Sequence, residues 1–200
     1  MLIEQHGKKM KLEKVLVLGS TGMIGHIVVQ ELNKQKNFKV FNLSKSRLDH
    51  QTIIFDILKD EEIGHIISKI SPKYVINCIG LLNKENNQPY SKFKKINELL
   101  PKKLSELSNK LNFKLIHMST DCVFSGMNGP YDLESKPDAK DNYGLSKANG
   151  EKISKTNLII RTSVIGPDLK GDSGELFDWF MLQSNSIQGY KNVFWSGVTT

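Results

Sequence analysis

The chain has 200 residues, 38% of them apolar, and suits one domain, or one domain with part of a second, able to bury a core. Cys78 and Cys122 are too few for a disulfide framework and show no CxxC or histidine-rich metal spacing, so both read as free thiols and no metal is expected. A net charge of +7 could suggest nucleic acid, but 28 basic residues are scattered and only Arg47 and Arg161 are arginines, which points to solubility instead.

Along the chain, the apolar runs are strand-length, well short of the ~20 residues that span a bilayer, and no signal peptide opens the sequence. A cytoplasmic location follows by default. The basic stretch "GKKMKLEK" precedes the first strand. Because "MKLEKVLVLGS" would itself make a natural start at Met10, residues 1–9 read as a disordered leader. The run "KVLVLG" then predicts a strand and "MIGHIVVQELNKQ" a helix. Gly19, Gly22 and Gly25 stand at their junction, where glycine permits a tight turn and close backbone approach while the first helical amides favour phosphate. The spacing is GxxGxxG, which an ordinary strand-to-helix turn would also satisfy. Its place after the first strand points to a dinucleotide.

A second strand, "FKVFNL", leads into Ser44, Lys45, Ser46 and Arg47, about 20 residues past the last glycine, where an NAD-preferring fold usually places an acid. Positive charge and hydroxyls there suit a 2′-phosphate, so NADP is favoured over NAD, with Asp49 as the opposing sign. The bland alternative is a solvated basic loop. Strands follow at "TIIF" and "KYVINC", with a helix at "LKDEEIGHIISKI" between them. Tyr90 and Lys94 in "YSKFK" have an i, i+4 spacing but no companion motif, and Tyr90 reads as a surface aromatic beside a lysine stem. "KINELLPKKLSELSNKL" predicts a helix interrupted at Pro101.

The strand "FKLIHM" delivers Ser119, Thr120 and Asp121 to its C-terminal end, the edge at which open parallel sheets bind ligands. In "DNYGLSKANGE", Tyr143 and Lys147 share one helix face, so the lysine can favour the phenolate of a tyrosine whose ordinary pKa is near ~10. Such a pair suits proton exchange with an alcohol or ketone, and a strand-end hydroxyl could hydrogen-bond the substrate oxygen. A last strand, "NLIIR", completes an alternation that argues for a parallel sheet covered by helices on both faces. After Arg161 the chain is richer in glycine and aromatics, with one short helix at "GELFDWFML".

In combination, "GSTGMIG", "FDI", "VINCIG", "HMSTDCVFSG", "GPYDLESKPDAKDNYGLSKANGE" and "RTSVIGP" resemble the extended short-chain dehydrogenases/reductases, and within them the dTDP-4-dehydrorhamnose reductase-like enzymes. The resemblance covers roughly residues 12–200. It implies an α/β fold, a Rossmann-type doubly wound parallel sheet over residues 10–161, with residues 162–200 the start of a smaller substrate lobe. Thr120, Tyr143 and Lys147 would be the catalytic set, with Tyr143 the proton donor and Lys147 also holding the nicotinamide ribose. Asn97 would support a proton relay. Gly19, Thr21, Gly22, Met23, Ile24 and Gly25 would meet the pyrophosphate, and Asp56 and Ile57 the adenine. Cys78, Ile79 and Gly80 would line the cofactor channel, and Thr120 and Asp121 would face substrate. By themselves Asn97 and Asp56 fit a helix-surface residue and a helix cap equally well.

The implied activity is NADP(H)-dependent reduction of a 4-keto nucleotide-sugar in a deoxysugar or surface-polysaccharide pathway, with NAD(H) the alternative cofactor. The partner would be the nucleotide-sugar, with no nucleic acid or membrane, and a homodimer is compatible with this reading. Two alternatives stand beside it: an epimerase or dehydratase of the same superfamily, and a non-catalytic NADP-binding regulatory subunit. Cys122 departs from the family pattern, which has an aromatic residue after "STD", and should leave the pocket beside Thr120 more open. The family also continues beyond Thr200, so the sequence is expected to be a fragment rather than a protein with a reduced second lobe.

Overall fold

All six apolar runs form strands: β1 Glu13–Leu18, β2 Phe38–Ser44, β3 Ile53–Ile54, β4 Tyr74–Asn77, β5 Lys114–Ser119 and β6 Leu158–Arg161. In this computed structural model, which describes residues 12–57, 62–82, 88–169, 175–193 and 195–200, they pair in the order β3-β2-β1-β4-β5-β6. Every pairing is parallel. The expected leader at residues 1–9 and the first residues of the "LKDEEIGHIISKI" helix, 58–61, lie outside the described residues.

Alternation along the strands divides the core between the two faces. Leu16, Leu18, Leu43, Val75 and Leu115 pack on one side with Ile63 and Ile67 of α2 (Ile63–Ile70) and Leu100 and Leu104 of α4 (Leu100–Leu111). Val15 and Val17 point the other way, onto Val29 of α1 (Met23–Lys34). Each fully buried aliphatic side chain contributes about 1.5–3 kcal/mol, so the sheet is held from both sides. From β1 the chain runs outward through β2 and β3, then returns to place β4 on the other side of β1. That reversal opens a crevice beyond the C-terminal ends of β1 and β4.

Pro101 does not interrupt its helix as expected. The helix starts earlier, as α3 (Tyr90–Phe93), and passes through a π-helical segment, Lys94–Leu99, into α4. In an α-helix, the carbonyl of Asn97 would accept from the amide of residue 101, which proline lacks. The wider turn before Pro101 absorbs that loss. It leaves the Asn97 carbonyl against α5 (Asn142–Gly150), where a Cβ on Gly150 would stand 2.0 Å from it.

After Arg161, β7 (Val164–Ile165) and β8 (Val198–Thr199) form a separate two-stranded parallel sheet, with α6 (Leu176–Met181) between them in sequence. Leu176, Phe180, Met181 and Leu182 are exposed. Among the described residues no helix is long and apolar enough to cross a membrane.

Candidate functional site

The glycine turn forms the floor of a groove at the crevice. Gly19 adopts φ +79°, a left-handed conformation that favours glycine, and its carbonyl accepts from Gly22 N at 3.1 Å. A Cβ on Gly25 would lie 2.1 Å from the Gly19 carbonyl oxygen, so α1 closes directly onto the turn. Its first residues, Met23 and Ile24, line a cavity of about 710 Å³. A second cavity of about 240 Å³ shares Thr21, Gly22, Cys78, Ile79 and Gly80 with the first, and the two make one groove. Its shape and the helix N-terminus fit a dinucleotide: the helix amides suit the diphosphate, and the absent glycine side chains leave the backbone accessible to it.

The smaller cavity is lined by Ser44, Lys45, Phe55, Asp56 and Ile57. Thr21 Oγ1 donates to Ser44 Oγ at 3.2 Å and Ser46 Oγ donates to Thr21 Oγ1 at 3.3 Å, which gathers three hydroxyls at this end. Lys45 lies 3.5 Å from the Asp56 carboxylate. Asp49, the residue that argued for NAD, is engaged in its own turn. Its carboxylate accepts from Thr52 Oγ1 at 3.0 Å, Gln51 N at 2.9 Å and the Asn42 amide at 3.4 Å. Arg47 is exposed and lines neither cavity. Gly25 lines neither and acts beneath the turn.

Tyr143 and Lys147 line the larger cavity from α5. Asp141 caps this helix, its carboxylate accepting from the amides of Tyr143 and Gly144 at 3.0 Å each. Gly144 lets α5 approach the turn after β5, since a Cβ there would stand 2.3 Å from the Cys122 carbonyl. Thr120 is buried, and its hydroxyl is near enough to Tyr143 to act on the acidity of the phenol. Its Oγ1 also accepts from Cys122 N at 3.1 Å and donates to Asp121 at 3.2 Å. Neither Thr120 nor Asp121 is among the residues lining the two cavities, whereas Ser119 is.

The electrostatics correct one expectation. Burial pushes the Tyr143 phenol up to about 12, against a smaller lowering effect from Thr120 and with Cys122, Asp121 and Asp141 adding to the rise. Lys147 does not offset this. Its Nζ donates to the Met118 carbonyl at 2.7 Å, and burial pulls it down to about 8 despite the nearby Glu151 and Cys78. Desolvation of a phenol outweighs an ammonium turned toward a carbonyl.

Asn97 is fully buried on the π-helical segment. Its Oδ1 accepts from Leu81 N at 2.8 Å, and its Nδ2 donates to Leu81 O at 3.0 Å and Ser146 Oγ at 3.1 Å. It therefore ties the cavity wall at Leu81 to the helix carrying Tyr143. Tyr90 is a partly buried bridge rather than a surface ring: its hydroxyl donates to Glu98 at 3.3 Å and accepts from Asn149 at 3.3 Å.

Several residues of this end were not singled out from the sequence. Glu151 receives Ser119 Oγ at 2.6 Å and a two-pronged contact from Arg161, with Nη2 to Oε2 at 2.7 Å and Nε to Oε1 at 3.0 Å. This explains the Gly-Glu that follows the tyrosine and lysine: the glutamate fastens α5 to β5 and β6. Asp168 and Glu175 line the larger cavity from the segment after β7, and no motif announced them. Cys122 is exposed and lines a further cavity of about 590 Å³, of which Thr120 is not a lining residue.

A family model described as the RmlD substrate binding domain matches residues 13–187. The methionine adenosyltransferase 2 subunit beta of Rattus norvegicus is 27% identical over 165 residues, covering 82% of this chain and 49% of that protein. A hypothetical dTDP-4-dehydrorhamnose reductase from Sulfolobus tokodaii superposes with a TM-score of 0.72 at 26% identity, covering 78% of this chain and 57% of its own. The dTDP-4-dehydrorhamnose reductase of Bacillus anthracis, solved in complex with NADP, gives 0.67 at 24% identity over 78% of this chain and 55% of its own. The chain spans about half the length of the curated relatives it matches.

Proposed function

The chain belongs to the RmlD substrate-binding-domain family, and on that premise we propose that it serves NADP(H)-dependent reduction of the 4-keto group of a nucleotide-linked sugar, in deoxysugar or surface-polysaccharide synthesis. The observation that carries this reading is the single groove with a glycine turn at its centre, hydroxyls and Lys45 at one end, and Tyr143 with Lys147 at the other. Thr21, Gly22, Met23 and Ile24 would hold the diphosphate, and Asp56 and Ile57 the adenine. Ser44, Ser46 and Lys45 would take a 2′-phosphate, which Asp49 does not oppose while it is engaged in its own turn. NAD(H) is the second choice for the same groove.

When bound, the dinucleotide supplies a hydride to the keto carbon. With its acidity reduced to a pKa of about 12, Tyr143 keeps its proton at neutral pH and can donate it to the keto oxygen. Thr120, whose hydroxyl acts on the acidity of Tyr143, would accept part of the burden of orienting that oxygen. Lys147, one turn along on the same helix face, would hold the nicotinamide ribose. Asn97 fixes the wall at Leu81 and, through Ser146, the helix that presents both groups.

NADPH oxidation by the full polypeptide against a panel of nucleotide-linked keto sugars tests this directly. We expect turnover, and a fall of about 10²–10⁴-fold in Tyr143→Phe with NADPH binding retained. Turnover in Tyr143→Phe equal to wild type would remove the tyrosine from the chemistry. An epimerase or dehydratase would convert sugar without net consumption of NADPH.

A second reading, a non-catalytic NADP-binding regulatory subunit, is favoured by one observation, the similarity to a methionine adenosyltransferase subunit. Tight NADPH binding without turnover on any keto sugar, together with a change in the activity of a partner enzyme, would select it.

A further inference from the structure

The most deeply buried polar pair in the sheet has no role in the chemistry above. Asn77 closes β4, His117 is its register partner in β5, and both are 0% exposed. Ile79 N lies 3.2 Å from Asn77 Oδ1, and because a backbone amide can only donate, this contact fixes which way the Asn77 side chain faces. Its Nδ2 then meets His117 Nδ1 at 3.1 Å. Since an amide nitrogen donates, Nδ1 has to accept, and the ring's single proton belongs on Nε2, which is buried without a hydrogen-bond partner among the described residues. An imidazolium would set N–H against N–H at this contact. Burial and the Lys147 ammonium reinforce the neutral form, holding His117 down to about 3.

The chain of contacts ends at the groove. Cys78, Ile79 and Gly80 wall both cavities, and Ile79 stands so close to the glycine turn that a Cβ on Gly19 would come within 2.9 Å of its side chain and 3.1 Å of its amide. We propose that Asn77 and His117 are positioning residues for the dinucleotide, the Nε2-protonated imidazole orienting the Asn77 amide that holds Ile79 against the glycine turn. The proposal rests on the dinucleotide reading of the groove and adds to it two residues that never touch the ligand.

Two measurements test it: the tautomer of His117 by ¹⁵N-edited NMR, its resonance identified by loss in His117→Asn, and NADPH affinity by fluorescence titration. We expect a neutral Nε2-protonated ring in the wild type. In Asn77→Asp, whose carboxylate faces Nδ1 with an acceptor, the proton should move to Nδ1 and NADPH affinity should fall. His117→Leu leaves the Asn77 amide without its acceptor and should weaken NADPH about tenfold, the order expected for one unsatisfied buried donor. His117→Asn, which can return an oxygen near the place of Nδ1, should stay within about threefold of wild type. An Nδ1-protonated ring in the wild type overturns the proposal. So does unchanged NADPH affinity in a folded His117→Leu or, should that variant not fold, in Asn77→Asp. If the wild type binds neither NADPH nor NADH, the proposed function fails and the positioning role with it, an outcome distinct from a wild type that binds while the variants bind equally well.

Discussion

The two ends of the groove are built on different principles. At the Ser44 end, the buried Ser44 hydroxyl leads outward through Thr21 to the exposed Ser46, and Lys45, paired with Asp56, has its side chain 62% exposed. At the Tyr143 end, Lys147 is 4% exposed, Asn97 is fully enclosed, and the Glu151 carboxylate is shared between Ser119 and Arg161. Water screens Lys45 and Ser46, so their contacts can discriminate between ligands at small cost to the fold. The second is desolvated, so its charges perturb one another and each partner removed leaves another stranded. Selectivity can therefore vary at one end while the arrangement at the other is tied to the stability of the whole domain.

The sharpest way to break this contrast is Glu151→Ala. It strands a partly buried Arg161 and should cost about 3 kcal/mol of unfolding free energy by urea denaturation. A loss below about 0.5 kcal/mol would place that network among ordinary surface pairs. Gly25→Ala acts at the centre of the groove, where its Cβ would meet the Gly19 carbonyl oxygen at 2.1 Å. A backbone clash of this kind should cost about 2 kcal/mol and weaken NADPH binding as the turn shifts, both readable from thermal melts with and without ligand.

His117 sharpens the buried side through pH. Its folded pKa is lowered from 6.5 to about 3, so the unfolded chain binds its proton first, and stability held above pH 6.5 is lost as pH falls through that window toward 3. The pH dependence of unfolding in His117→Asn should be flatter than wild type between about pH 4 and 6.5. Parallel profiles would mean that the imidazole is not held neutral. The smallest effects belong to the exposed end. Lys45→Ala should reduce the preference for NADPH over NADH by less than about tenfold, and Arg47→Ala should change it by less than about twofold in paired titrations. An equal or larger effect at Arg47 would move the 2′-phosphate away from Ser44.

The six strands and the parallel sheet were legible in the sequence because fully buried strands read as apolar runs, and the family was legible from motifs in order. The residues expected to line the groove were largely legible too, since a glycine turn and an i, i+4 pair are local patterns. What escaped is long-range or environmental. Asn77 with His117 and Glu151 with Arg161 are contacts that only the strand order and the seating of α5 create. The path through Pro101 was misread because a local rule about proline cannot see that Gly150 makes room for the freed carbonyl. The phenol of Tyr143 was expected to be acidified by Lys147, but that reasoning counted the charge and not the burial. Arg47, counted by charge alone, faces solvent.

A crystal structure of the full polypeptide with NADPH tests the central claim most directly. The account predicts the diphosphate on the amides that open α1, the 2′-phosphate beside Ser44 and Lys45, and the nicotinamide ring in the larger cavity within reach of Tyr143 and Lys147. A dinucleotide bound away from the glycine turn, or a nicotinamide facing away from those two side chains, would contradict it.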